Sequence, residues 1–377
     1  MDLRDKRLVA SLAKAIAEVC KGLAHLKIMH VCGTHEYVIS RFGLRHLLPD
    51  NLEVISGPGC PVCCTPASDI DTLVNLSLRK NVVVTCFGDM LRVNGSQMSL
   101  AEAKARGANT KIVYSILDAV EFAREHEDLE VIHSAIGFET TAPTTAAVLT
   151  NSLPGNFSIL SSHRIIPPAM DFILSQSDTC IDGFIAPGHV SVIIGANAYK
   201  SVAKIYKRPV VVSGFEPADI LYSIYLITRQ IKKKQAKVEN EYSRAVDWQP
   251  QKKAIAMIKR TFDVTDSFWR GLGKIRQSGL ILRKPLRRFD CFYKFKLKKA
   301  KEEIVGFRHC RCADVLKGKI HPDECPAFGH ACNPEHPLGP CMVSYEGSCA
   351  IFYSYRNNKK LKVRAKGVKA HDSKLGG

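Results

Sequence analysis

Along the first 228 residues one alternation of apolar and polar positions recurs. A short β-branched run ends in a turn bearing glycine or cysteine, and an amphipathic stretch follows. The pattern predicts strands over 26–31, 52–56, 81–85, 129–136, 181–186 and 209–212. In that order they lead into CGTHE, GPGCPVCCTP, CFGDM, GFETTAP, PGHVSVIIG and SGFEPADIL. A helix is predicted over 67–78, and the threonines and Pro143 of GFETTAP suit a helix start. Strands alternating with helices at this spacing predict an α/β fold whose parallel sheets are covered on both faces. The run is long for one sheet, so two α/β domains are expected, over 1–120 and 121–228.

After residue 228 the pattern breaks. Lysine runs, Trp248, Trp269 and the segment WRGLGKIRQSGL lead into a stretch holding six of the fourteen cysteines: Cys310, Cys312, Cys325, Cys332, Cys341 and Cys349. Pro322, Pro326, Pro334, Pro337 and Pro340 alternate with glycines there and forbid long helices or strands. Such a stretch needs a tie other than core packing, and disulfides, zinc or an iron–sulfur cluster would each serve. A smaller, mixed, cysteine-rich domain is expected over 229–356, with a basic, disordered tail over 357–377.

Placement singles out the chemistry. Cys32, His35, Cys60, Cys63, Asp89, Glu139, His189, Glu216 and Asp219 each lie just after a predicted strand. In open parallel sheets ligands bind at that edge. Two such edges facing one another would make a cleft.

Composition narrows the compartment. The apolar fraction is 46% and the charged fraction 24%, as in ordinary globular chains. No run of eighteen apolar residues predicts a membrane span, and MDLRDKRLVASLAKAIAEVC lacks the apolar core and cleavage site of a signal peptide. A cytoplasmic protein is expected, where thiols stay reduced and cysteines point to metal or redox chemistry. The net charge of +18 raises a nucleic-acid reading. Seven Lys/Arg against one Asp in the last 21 residues account for a third of it, and no recognition signature accompanies them. Solvated faces and a tail explain the charge more simply.

Several motifs carry the candidate chemistry. In GPGCPVCCTP, Cys60 and Cys63 have the spacing of a redox dithiol, and the start of a helix lowers a thiol there. Half of a zinc site or two buried thiols are the plainer alternatives, and Cys64 reads as packing. In CGTHE, Cys32 with His35 three residues on suits an iron ligand or a nucleophile. Glu139, beside Thr140 and Thr141, and His189 could serve as acid and base or bind an anion, although caps and turns use the same residues. The C-terminal spacing, C-x1-C-x12-C-x6-C-x8-C-x7-C, lacks the paired CxxC knuckles of zinc ribbons. Wide gaps match cluster ligands drawn from separate loops, with Tyr345, Phe352 and Tyr353 as apolar cover.

Taken together, CGTHE, GPGCPVC, CFGDM, GFETTAP, IIPPAM, PGHVSVIIG, GFEPADIL, WRGLG, CRCADVLKGK, ECPAFG and CNPEHPLGPCMVSYEGSC resemble the HypD family of hydrogenase maturation factors. The resemblance implies a scaffold for the iron centre of [NiFe] hydrogenase. It further implies a [4Fe–4S] cluster in the third domain and a complex with a HypC-type chaperone. In that complex an Fe(CN)2CO unit is assembled transiently, with cyanide from HypE and HypF. Carried onto this chain, it makes Cys32 the iron ligand, with His35 beside it, and Cys60 and Cys63 the redox pair. Cys312, Cys325, Cys332 and Cys349 become cluster ligands, with Cys310 and Cys341 as substitutes. Cys64, Asn94, Arg276 and the segment VDWQPQKKAI depart from the family's usual residues, and the tail is longer and more basic. Two rivals remain: an iron–sulfur-dependent dithiol oxidoreductase, and more distantly a zinc-stabilised nucleic-acid binder.

Overall fold

The run VVVTC at Val82–Cys86 is buried at all five positions, as a strand covered on both faces must be. The computed structural model describes residues 2–298 and 310–356. The tail expected over 357–377 lies outside them. The strands are β1 (Leu26–His30), β2 (Leu52–Ser56), β3 (Val82–Cys86), β4 (Thr110–Ile112), β5 (Glu130–Gly137), β6 (Phe157–His163), β7 (Gly183–Pro187), β8 (Val210–Ser213), β9 (Val238–Asn240), β10 (Phe262–Trp269) and β11 (Gly273–Leu282). The helix expected over 67–78 is Ala67–Ser77.

Two parallel sheets form, as the alternation predicts. The first has the order β2-β1-β7-β8-β9 and the second β4-β3-β5-β6. They are not divided at residue 120. β3 and β4 pair with β5 and β6 across that point, and β1 pairs with β7, more than 150 residues on. The whole second sheet is therefore inserted between strands of the first. The reason is pairing: a crossover can leave a sheet and return to it, and local apolar patterning does not record which strand waits there. β6 (FSILSSH) escapes the pattern because Ser158, Ser161 and Ser162 read as polar. Ser158 and Ser162 are nonetheless buried, and Ser161 Oγ donates to Leu280 O at 2.9 Å.

Residues beyond 228 do not build a separate core. The antiparallel β10–β11 hairpin lies along β6, where Ile165 N–H donates to Ser278 O at 2.9 Å. Trp269, fully buried, donates from Nε1 to Ser278 Oγ at 2.9 Å and stacks on Phe138 at 5.8 Å. Cys325, Cys332, Cys341 and Cys349 belong to the same apolar cluster as Met29, Cys63, Ile70 and Trp269. The cysteine-rich segment is thus welded to both sheets. Its longest helix, Ser348–Tyr355, has eight residues, in keeping with the prolines. Of the expected apolar cover, Phe352 and Tyr353 are partly buried but Tyr345 is 80% exposed. Among the described residues no helix is long and apolar enough to cross a membrane.

Candidate functional site

Each sheet has one point where the strand order reverses, and such points open a crevice at the carboxyl ends of the strands. In the first sheet it lies between β1 and β7, in the second between β3 and β5. Cys32 and His189 follow the first pair, Asp89 and Glu139 the second. The charges of one residue from each crevice act on Tyr199. Burial pushes its phenol up, the charges of Glu139 and Cys32 add to that, and its hydroxyl lies 3.0 Å from Ser191 Oγ.

Cys32 is extended (φ −154°) and caps the helix Gly33–Arg41. It is partly exposed, and burial of its sulfur pushes the thiol up to about 11. The backbone N–H groups of His35 and Thr34 oppose the shift, while Glu346 adds to it, and the side chain makes no capping hydrogen bond. At neutral pH it is a thiol, so a metal must displace the proton to bind.

The CGTHE and GPGC loops interlock without room to spare. Gly33 N–H donates to Gly59 O at 3.2 Å, and a Cβ on Gly59 would lie 2.2 Å from Cys32 N. A methyl there must displace backbone. Gly59→Ala is expected to cost about 1–3 kcal/mol in urea unfolding and to weaken iron retention. An unchanged midpoint would show that the loops can part freely.

His35 does not turn its ring to the thiol. Its Nε2–H donates to Gly214 O at 3.0 Å, after β8, and the ring stacks on Phe215 at 4.9 Å, as His189 does at 3.9 Å. Burial, with His30 nearby, lowers its pKa to about 3. It is a neutral imidazole that ties the Cys32 helix to β8.

Glu36, given no role by the motif reading, is the hub beneath the loop. Fully buried, it accepts from His30 Nε2 at 2.8 Å, Ser56 Oγ at 2.6 Å, Ser40 Oγ at 2.6 Å and Arg45 at 2.7 and 2.8 Å. Burial works against its ionisation, but the Arg45 charge and the His30 hydrogen bond outweigh it and hold the carboxyl well below the usual range. No signal beyond its place in CGTHE marks it.

Cys60 caps the short helix Pro61–Cys64, and its Sγ accepts from Cys63 N–H at 3.2 Å. The two cysteines form a disulfide with Cα atoms 5.3 Å apart, 3% and 0% exposed. Cys63 Sγ lies 3.9 Å from Pro340 O, next to Cys341. Cys64 is buried with its thiol pushed up to about 12 by that burial, 3.9 Å from Pro58 O. It packs.

Beyond Pro340 the thiols gather. Cys341 accepts hydrogen bonds from Cys312 and Cys349, which lower it to about 6 despite burial. Cys310 Sγ donates to Cys312 Sγ at 3.2 Å and is pushed far up by that bond and by burial. Cys332 is held up by burial, with the charges of Cys310 and Cys312 adding, and Leu338 N–H donates to its sulfur at 3.4 Å. Cys325 begins the tight turn that Cys332 closes, through Phe328 N–H to Cys325 O and Cys332 N–H to Ala327 O. The gathering therefore includes Cys310 and Cys341, the two cysteines kept as substitutes. A Cβ on Gly339 would lie 2.5 Å from Cys312 Sγ and 2.7 Å from Cys310 Sγ, so the turn leaves space for sulfur alone. Among the described residues no three His, Cys, Asp or Glu side chains could hold a single metal ion. The donor set, all sulfur and mostly buried, fits a thiolate-held iron–sulfur group spread over several atoms.

In the second crevice Glu139 is buried, and burial pushes it up to about 7 against its own N–H and that of Ile166. Its Oε1 accepts from Ile166 N–H at 3.0 Å, and its Oε2 has no partner among the described residues. Asp89 Oδ2 accepts from Ser344 Oγ at 2.8 Å and Tyr345 N–H at 3.2 Å, which fastens the cysteine-rich segment to that edge.

Comparison with known proteins points to one family. A family model described as HypD, "Hydrogenase formation hypA family", matches residues 7–356. The chain is 43% identical over 359 residues to a putative hydrogenase expression/formation protein of Methanocaldococcus jannaschii, covering 94% of this chain and 99% of that protein. It is 44% identical over 338 residues to the hydrogenase maturation factor HypD of Escherichia coli, with 89% and 90% covered. To the HypD of Cupriavidus necator it is 39% identical over 375 residues, with 97% and 98% covered.

Proposed function

The chain belongs to the HypD family of hydrogenase maturation factors, and we propose that within it this protein is a cytoplasmic iron–sulfur scaffold for the Fe(CN)2CO unit of [NiFe] hydrogenase. In this reading Cys32 holds the cargo iron together with a HypC-type chaperone, and HypE with HypF supplies cyanide. The cysteine gathering (Cys310, Cys312, Cys332, Cys341 and Cys349, with Cys325 in the adjoining turn) holds a [4Fe–4S] cluster. When bound, such a cluster supplies single electrons.

One observation carries the reading. Cys32, the Gly59–Cys60 turn, Cys63, Pro340 and Cys341 touch in sequence, so the disulfide stands between the candidate iron ligand and the thiol gathering. Opening it takes two electrons, from an external one-electron donor, and two protons, and yields the thiols of Cys60 and Cys63. Burial pushes the Glu139 carboxyl up to about 7, so it can exchange a proton near neutral pH. A general dithiol oxidoreductase would need a partner thiolate to reach one of these sulfurs. Their burial favours an internal relay over that rival.

Anaerobic purification tests the reading. The expected protein is brown, carries about four iron and four sulfide per chain, and co-purifies with the HypC-type chaperone. Cys63→Ser is expected to keep the colour and lose most hydrogenase maturation. A colourless parent chain with stoichiometric zinc would sink the proposal.

A further inference from the structure

Two imidazoles stack on the turn that follows β8, at residues 214–216. The Phe215 ring lies on His35 at 4.9 Å and on His189 at 3.9 Å, with interplanar angles of 30° and 24°. Tyr242 meets the same ring edge-on at 5.8 Å. His35 is buried on the helix that Cys32 caps, and His189 is exposed just after β7. One aromatic ring therefore joins an imidazole on the Cys32 helix to an exposed one at the carboxyl end of β7.

Two carboxylates hold that turn, with side chains 1% (Asp219) and 7% (Glu241) exposed. Gly214 N–H donates to Glu241 Oε2 at 2.9 Å, and Glu216 N–H donates to Asp219 Oδ2 at 3.1 Å. A Cβ on Gly214 would lie 2.2 Å from that Asp219 oxygen and 2.8 Å from Tyr242 Cδ2, so a side chain there would collide with both. Arg244 pairs with Asp219, lies 3.7 Å from Glu241 Oε1 and covers the Tyr242 ring at 4.5 Å. Taking two carboxylates out of water around one short turn is costly. A turn that must keep a ring in one place accounts for that cost.

We propose that Phe215 is a positioning residue of the cargo site, whose ring holds the Cys32 helix, through His35, against the His189 imidazole. Glu241 and Asp219 keep its turn in place. The inference rests on the scaffold reading. His35 meets the turn twice, with Nε2–H on Gly214 O at 3.0 Å and with its ring on Phe215. A shift of the turn therefore moves the helix that presents Cys32. Groups one step removed from a metal ligand set its aim, and their loss typically costs about 10–100-fold in metal affinity.

Two readings on the full chain test this. NMR of the anaerobically purified protein with labelled histidines follows the rings. Iron held in the cleft of the complex with the HypC-type chaperone, counted against a competing chelator as the excess over Cys32→Ser, follows the site. Phe215→Leu keeps apolar bulk without a ring. It should shift the His35 and His189 ring signals downfield, leave His126 (stacked on Phe122 at 4.0 Å) unmoved, and weaken cleft iron about tenfold. Glu241→Ala removes the acceptor of Gly214 N–H and should do the same. Burial, with Asp219 adding, pushes the Glu241 carboxyl up to about 8, so glutamine copies its neutral form. Glu241→Gln should therefore match the parent in both readings. A purely structural role would lower the urea midpoint and leave both readings, taken on folded protein, unchanged. Unmoved rings or parent-like cleft iron in Phe215→Leu overturns the proposal. Where that variant does not fold, either result in Glu241→Ala overturns it. A parent complex without cleft iron refutes the scaffold reading itself, and this inference with it.

Discussion

Cys32→Ser should fold as the parent does, keep its colour, and lose iron binding in the cleft by more than about 100-fold, since even outer-shell changes cost 10–100-fold. Folding is spared because serine is a strong helix cap. Its Oγ can accept from the backbone N–H groups of Thr34 and His35 at the start of that helix. Binding is not spared, because an alcohol does not ionise to replace the thiolate. The Cys32 thiol sits near 11, pushed up first by burial. Each iron bound must therefore release one proton, so parent affinity should rise about tenfold per pH unit across the neutral range. Iron counts per chain on the purified complex with the HypC-type chaperone decide the matter. Equal iron in parent and variant would remove Cys32 from the site.

The second large effect is on stability. Glu36→Gln leaves Arg45 and His30 facing a neutral amide in place of a buried carboxylate that accepts bonds from both. Breaking one side of such a network typically costs about 3–5 kcal/mol. Urea unfolding should show that loss as a lower midpoint with an unchanged slope. The sign of the pH dependence is fixed by the direction of the shift. The folded-state pKa is depressed below the unfolded value, so Glu36 stabilises fully above about pH 5. Its contribution falls away as pH drops through the folded-state pKa. The glutamine variant should therefore lose less stability than the parent below about pH 4.5. Parallel profiles for the two proteins would place the ionisation of Glu36 outside the folding energetics.

The edges of the sheets were legible because strand ends announce themselves. A β-branched run followed by glycine and cysteine leaves few choices, and Cys32, Cys60, Cys63, Asp89, Glu139 and His189 all lie at carboxyl ends of parallel strands. The boundary at 120 was not legible, since β1 pairs with β7 across an inserted sheet. Spacing placed His35 over the turn of Cys32, but helical rotation and the carbonyl of Gly214 carry its ring to β8. Tyr199, on which the charges of Cys32 and Glu139 both act, has no motif to mark it.

Local order was written in the chain itself. Apolar period, turn chemistry and cysteine spacing predicted parallel α/β sheets, a dithiol at a helix start and a sulfur-rich segment without long elements. Each of these depends on neighbours a few residues apart. Tertiary structure alone decided the rest: which strands meet at the reversal points, which thiols gather beyond Pro340, and which buried carboxylate, Glu36, ties down the Cys32 helix. Those depend on contacts between residues tens to hundreds of positions apart. Chain entropy makes such contacts costly one at a time, and only the shared core, in which Met29, Cys63, Trp269 and Cys341 pack together, makes them favourable at once.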